Sequence, residues 1–134
     1  MRKSVVTPRT PRPIGPYSQA ARFGNFVFVS GQLGVDPETQ SVVSEDVRAQ
    51  TEQALKNIAA ALEATGSSLR NVVRCGVFLK DMRDFASMNE VYAKFFVSDP
   101  PARTTVAVAG LPRDVLVEID AIAIDPRTRK RQSK

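Results

Sequence analysis

Histidine is absent from this 134-residue chain, and cysteine occurs once, as Cys75. Without histidine there is no serine–histidine or cysteine–histidine pair and almost no route to a catalytic zinc site. Any chemistry must use Arg, Lys, Asp, Glu, Tyr, hydroxyls, amides or the backbone. One cysteine cannot close an internal disulfide. Cys75 lies in the apolar run Val-Val-Arg-Cys-Gly-Val-Phe-Leu of residues 72–79, which reads as a buried structural thiol ahead of a reactive one. No apolar run approaches the ~18 residues of a membrane span, and the N-terminal stretch lacks the apolar segment of a signal peptide. A cytoplasmic protein is the expectation. Repeats, heptads and phosphate-binding glycine motifs are also missing.

The length suits one domain able to bury a core without staples. A hydrophobic fraction of 43% and a charged fraction of 25% place the chain among ordinary globular proteins. The net charge of +5 is unevenly distributed. Arg2, Lys3, Arg9 and Arg12 at one end, with Arg127, Arg129, Lys130, Arg131 and Lys134 at the other, make nine of the 19 basic residues. The remaining ten face all 14 acidic residues, so the body carries −4. A nucleic-acid-binding domain places its basic patch on a folded face, and here the basic residues are terminal. Residues 127–134 read as a basic, solvated tail whose binding to nucleic acid or anionic surfaces is at most weak and non-specific. Residues 1–13, with three of the nine prolines, read as an extended basic arm, leaving 14–126 as the domain.

Gln19–Phe23 and Phe26–Ser30 read as strands joined at the hairpin signal Gly24-Asn25, and Gly31-Gln32-Leu33-Gly34 breaks that pattern. A helix follows, with Ser44 as its cap and Gly66 as its stop. Its apolar face is Val47, Ala54, Ile58, Ala61, Leu62 and Thr65. Leu69–Leu79 reads as a central strand. A second helix, capped by Asp84, carries Phe85, Met88, Val91, Tyr92, Phe95 and Phe96 on one stripe. Asn89 shares that stripe. A polar amide facing an apolar layer needs partners or costs about 1–3 kcal/mol, so it either bonds structurally or faces a pocket or subunit boundary. The last strands are Arg103–Ala109 and Val115–Ile124. The order β-β-α-β-α-β-β defines an α+β fold with two helices on one sheet. Both faces of the last strands are apolar, and no chain is left to cover the second face, so another subunit is expected there.

Two polar residues interrupt these last strands. Arg103 offers a planar fork that grips a carboxylate, and Glu118 offers a carboxylate that holds and polarises a water. Together they supply the parts to bind a small acid and hydrolyse it. Pairing of Arg103 with Glu118, or simple solvation of both, is the competing reading.

Four ordered blocks carry a resemblance. They are Ile14-Gly15-Pro16-Tyr17-Ser18-Gln19-Ala20 with Val29-Ser30-Gly31-Gln32; Val77-Phe78-Leu79-Lys80-Asp81-Met82 with Phe85-Ala86-Ser87-Met88-Asn89; Pro101-Ala102-Arg103-Thr104; and Val117-Glu118-Ile119-Asp120-Ala121-Ile122-Ala123. Over residues 14–125 the chain resembles the RidA/YjgF family of enamine/imine deaminases. The resemblance implies a chorismate-mutase-like fold, with two helices on one mixed sheet, assembled as a homotrimer with clefts between subunits. It implies cofactor- and metal-independent hydrolysis of 2-aminoacrylate-type intermediates to 2-oxo acids and ammonia. Arg103 matches the carboxylate clamp and Glu118 the water-orienting acid. Tyr17, Ser30, Gly31 and Asn89 match positions lining the cleft. Thr105 stands where many active members have cysteine, and its backbone N–H is placed to meet the carboxylate. The stretch from Phe96 to Arg103 is shorter than the family pattern, and Gln40 replaces a usual glycine, read as a surface change of little consequence. Structural readings stand beside these: Tyr17 as packing, Ser30 as a backbone bond, Gly31 as a turn. A non-catalytic carboxylate-binding module is the alternative function. An endoribonuclease or translation-inhibitor role is disfavoured by the missing histidine, the acidic body and the lack of an aromatic-rich basic face.

Overall fold

Alternating apolar residues in three long segments build the sheet. The computed structural model describes residues 1–127. The strands are β1 (Lys3–Val5), β2 (Ala20–Phe23), β3 (Phe26–Leu33), β4 (Val72–Leu79), β5 (Ala102–Ala107) and β6 (Val117–Ile124), and the helices are α1 (Val47–Thr65) and α2 (Phe85–Phe95). They form one sheet in the order β1-β2-β3-β6-β4-β5. Only the β4–β5 pair is parallel, so the sheet is mixed. Two helices on one mixed sheet is the expected architecture, with one strand more than the order read from the sequence. No helix among the described residues is long and apolar enough to cross a membrane.

In β6, Val117, Ile119, Ala121 and Ala123 are buried under the helices with Val27 and Val29 of β3 and Cys75, Val77 and Leu79 of β4. From α1, Leu55, Ile58 and Leu62 close this layer with no exposure. Truncating one of them to alanine would cost about 2–5 kcal/mol. The opposite face presents Phe26, Phe28 and Val106, each more than 40% exposed, so it is the unpartnered apolar surface.

Local chemistry moved several expected boundaries. The extra strand β1 pairs with β2, covering backbone groups that would otherwise be a free edge. The buried Gln19 side chain binds the following segment, accepting from Thr7 N at 2.7 Å and donating to Thr7 O at 2.9 Å and Thr10 O at 3.3 Å. The first thirteen residues are therefore fastened to the domain and do not form an arm set apart from it. β3 does not stop at Ser30. The register against β6 shifts between Val29 and Gln32, and this bulge absorbs the extra residue so that pairing continues to Leu33. Asp46, not Ser44, caps α1, accepting from Arg48 N, while Ser44 Oγ accepts from Asp46 N at 3.0 Å. Gly66 ends α1 at φ 90°, as its lack of a side chain allows. Asp84 occupies the N-cap position before α2 without a side-chain cap bond, and Asp81 starts the preceding turn by accepting from Arg83 N at 2.9 Å.

Arg127 belongs to the fold and not to a solvated tail. It donates to Asp125 and, at 2.8 Å, to the Thr65 carbonyl at the end of α1. The remainder of the expected basic tail, 128–134, lies outside the described residues.

Candidate active site

The sheet register decides which candidate residues meet. Cys75 pairs with both Arg103 of β5 and Ala121 of β6, so these three side chains share a face, the one under the helices. Glu118 pairs with Phe78 and alternates with the buried Val117 and Ile119, so it lies on the opposite, open face. Arg103 and Glu118 of one chain therefore do not form a pair. Their face assignment divides the candidate residues into two half-sites.

The first half-site surrounds Glu118. A cavity of about 310 Å³ is lined by Tyr17, Ser30, Gly31 and Glu118, with Ile14 and Pro112 at its side. The bulge in β3 brings Gly31 beneath the Glu118 carboxylate. Polar residues of α1 brace both strands that carry this pair. Asn57 donates to the carbonyls of Leu33 at 3.1 Å and Val35 at 2.9 Å, and Gln50 accepts from Leu116 N at 2.8 Å. The Ser30 hydroxyl donates to Ser18 O at 2.6 Å, leaving its oxygen lone pairs open to accept. The half-exposed Tyr17 accepts at its hydroxyl from Ile14 N. Glu118 makes no ion pair with any described residue, and partial burial raises its pKa above the ordinary carboxylate range, with the Asp120 charge adding to the rise. Asp120 is itself held by Gly76 N at 2.8 Å. A carboxylate tuned upwards in a half-apolar cavity is suited to take a proton from water and return it.

The second half-site surrounds Arg103. Its guanidinium lies 4.7 Å from the Tyr92 ring centroid and 5.7 Å from that of Phe85. Both distances are within cation–π range, which orients the fork while leaving its N–H donors for an anion. No described carboxylate pairs with it. Thr105 Oγ1, Asn89 Oδ1 and the Tyr92 hydroxyl are buried without a hydrogen-bond partner. Such buried polar atoms on α2 and β5 carry a cost of about 1–3 kcal/mol each, which for Tyr92 is eased by the adjoining Cys75 thiol and Arg103. Burial, reinforced by the neighbouring Cys75 thiol, keeps the Tyr92 hydroxyl protonated well beyond neutral pH. Burial likewise pushes the fully enclosed Cys75 thiol up, in keeping with a structural cysteine.

Tyr92, Phe85 and Asp120 were not picked out from the sequence as site residues. The signal for Tyr92 was a tyrosine, in place of phenylalanine, one turn after Asn89 on the same stripe. Gln40 is more than a surface change. It sits at φ 61°, donates to Pro37 O at 2.6 Å and accepts from Arg12 N at 3.1 Å.

With this geometry in place, comparison with known proteins gives a consistent class. The family model described as Endoribonuclease L-PSP matches residues 7–125. A RutC family protein of Pyrococcus horikoshii is 54% identical over 123 residues, covering 92% of this chain and 98% of the relative. A 2-iminobutanoate/2-iminopropanoate deaminase of Dermatophagoides farinae is 42% identical over 123 residues, covering 92% and 96%. The solved structure of Escherichia coli TdcF with bound serine superposes with a TM-score of 0.87 at 42% identity, covering 91% and 98%. The chain belongs to the RidA/YjgF family that the four sequence blocks resemble.

Proposed function

We propose that this protein is a cofactor-independent hydrolytic deaminase of 2-aminoacrylate-type enamines and their imine tautomers, working as a homotrimer with its clefts between subunits. The observation that carries the reading is the division of Arg103 and Glu118 between opposite faces. Each half lacks what the other holds, and seating the open face of one subunit against its neighbour is how two incomplete halves become one site. It also covers the exposed Phe26, Phe28 and Val106.

In this site Arg103 grips the substrate carboxylate and the Thr105 backbone N–H assists. Tyr17, Ser30, Gly31 and Asn89 line the cleft. Glu118 takes a proton from water as the water oxygen bonds to the protonated imine carbon, giving a carbinolamine. That proton passes to nitrogen, the C–N bond breaks and ammonia leaves, and Glu118 takes the hydroxyl proton as the carbonyl of the 2-oxo acid forms. The imine is already an electrophile once protonated, so positioning and one proton shuttle are the protein's share of the work. The deaminase named among the relatives supports this chemistry, and the serine bound by the TdcF structure supports a site for small amino-acid-like ligands.

A carboxylate-binding module would also need Arg103 but not Glu118. The experiment is a coupled assay in which a serine or threonine dehydratase generates the enamine and its decay is followed with this protein present. Accelerated decay, lost in both Arg103→Ala and Glu118→Ala, supports the deaminase. Ligand binding without acceleration, in folded trimeric protein, supports the module.

A further inference from the structure

A second cavity, of about 280 Å³, adjoins the one at Glu118 and shares Ile14, Tyr17, Gly31 and Leu33 with it. Its inner wall is apolar and buried or half-buried, with Leu33 and Val35 beside the amides of Gln19 and Gln32. Two arginines, Arg12 and Arg113, also line it, and neither side chain bonds or pairs with a described residue. The carboxylate nearest in sequence to Arg113, Asp114, is taken by Lys80 at 2.8 Å.

The backbone is strained at this cavity. Four non-glycine residues of the described chain have positive φ, and two of them, Gln40 at 61° and Arg113 at 57°, line this one cavity, with Asp114 at 56° adjoining. Such conformations cost of order 1 kcal/mol each and persist where surrounding contacts hold them. Gln40 is held by the two bonds of its own side chain, one of which fixes the backbone of Arg12. The Lys80–Asp114 pair anchors the other strained turn. The strained turns thus place one guanidinium-bearing residue each on the wall of a cavity continuous with the proposed reaction site. An apolar wall with two unpaired cations suits an amphipathic chain ending in an anion.

We infer that this cavity receives the substrate's side chain and selects 2-imino acids that carry a second, distal carboxylate. The inference rests on the deaminase reading, which places the reacting carbon beside Glu118. The test compares length-matched 2-oxo acids, the products of such reactions: 2-oxopentanoate against 2-oxoglutarate, and 2-oxohexanoate against 2-oxoadipate. Their binding to the intact assembly is measured by calorimetry and by inhibition of 2-iminobutanoate hydrolysis.

The expected result is about tenfold tighter binding of the better-fitting dicarboxylate than of its monocarboxylate partner. Arg113→Ala, and to a smaller extent Arg12→Ala, removes that preference while leaving monocarboxylate binding and 2-iminobutanoate hydrolysis within about twofold. Arg113→Lys restores part of it. Gln40→Gly relaxes the backbone, frees Arg12 and lowers the preference without loss of folding. Equal binding of both acids in each pair, or equal loss of both in Arg113→Ala, overturns the inference. Hydrolysis of 2-iminobutanoate by the same preparation tests the deaminase reading separately. Turnover without dicarboxylate preference overturns this inference alone, and preference without turnover overturns the deaminase reading.

Discussion

The Glu118 carboxylate occupies the space a side chain would take at residue 31. A methyl group on Gly31 would come within 1.9 Å of Glu118 Oε2 and 2.8 Å of its carboxyl carbon. Gly31 is required here for its missing Cβ, which lets the carboxylate lie against the β3 bulge. The neighbour that would have to move is the very group proposed to hold the reacting water.

Gly31→Ala should therefore displace Glu118 while leaving the buried core untouched. Imine hydrolysis should fall by about 10²-fold, the scale of losing a positioned general base. Circular dichroism and the thermal midpoint should stay near those of the parent. Retained turnover would mean that Glu118 does not act from the position seen here.

Burial and Asp120 both raise the Glu118 pKa, so the acid limb of kcat/KM should lie above the ~4.3 of an unperturbed glutamate. Asp120→Asn keeps an oxygen for the Gly76 N–H but removes a like charge, and should move that limb to lower pH. The stability sign follows from the same direction. A carboxyl whose folded pKa is raised stabilises the fold below its unfolded pKa, and that contribution is lost as pH rises through the folded value. Glu118→Gln should thus be more stable than the parent at pH 7, with the gain fading below about pH 4, and should be inactive. Urea unfolding at both pH values checks this.

Periodicity made the helices and the central strands legible, because burial under one face writes itself into spacing. The six residues assigned to the α1 face are all buried. Lys3–Val5 was illegible as a strand, being three residues with a basic start, whose pairing depends on the β2 edge and on Gln19 some distance along the chain. The bulge at Ser30–Gly31 read as a break because its reason, room for Glu118, lies on a strand nearly ninety residues away. The candidate site residues were picked out through motif blocks, but their separation onto two faces emerged only from register. Tyr92 was hidden in an apolar stripe since its ring serves the core while its hydroxyl faces the Arg103 side.

Thr105 Oγ1 is buried and unpartnered within the chain. If its only role were filling strand β5, Thr105→Val would remove an unsatisfied hydroxyl, gaining up to about 1 kcal/mol, and leave kinetics unchanged. Loss of a hydroxyl that meets substrate in the assembled site would instead raise KM severalfold. An unchanged KM would limit the part of Thr105 in substrate binding to its backbone N–H, which valine keeps.

Asp125 ties three parts of the fold together. Its side chain is 1% exposed and accepts from Arg22 at 2.7 Å and from Arg127 at 3.1 Å, while both arginines also reach the Thr65 carbonyl. Bonds from Arg127, with the charges of both arginines, hold its pKa below the ordinary aspartate value. Stability from such a group is present above the unfolded pKa and is lost as pH falls through the folded one. Asp125→Asn should destabilise the fold at pH 7, because the buried charge that pairs with the partly exposed Arg22 and the largely exposed Arg127 is lost. Its deficit relative to the parent should shrink as pH falls below about 4, which denaturant titrations at both ends of that range would show.

The strongest test of the divided site needs no structure of the assembly. Arg103→Ala and Glu118→Ala chains should each be inactive alone, since every cleft of the proposed homotrimer would then lack one partner. When the two are unfolded together in equal amounts and refolded, each cleft draws Arg103 from one subunit and Glu118 from its neighbour. The chance that both are intact is about one in four, so about a quarter of parent activity should return. A cleft built within one chain would give none, because no single subunit in the mixture carries both residues. Recovery near a quarter, with each variant inactive alone, would therefore establish that both residues are required and that one site draws Arg103 from one subunit and Glu118 from another.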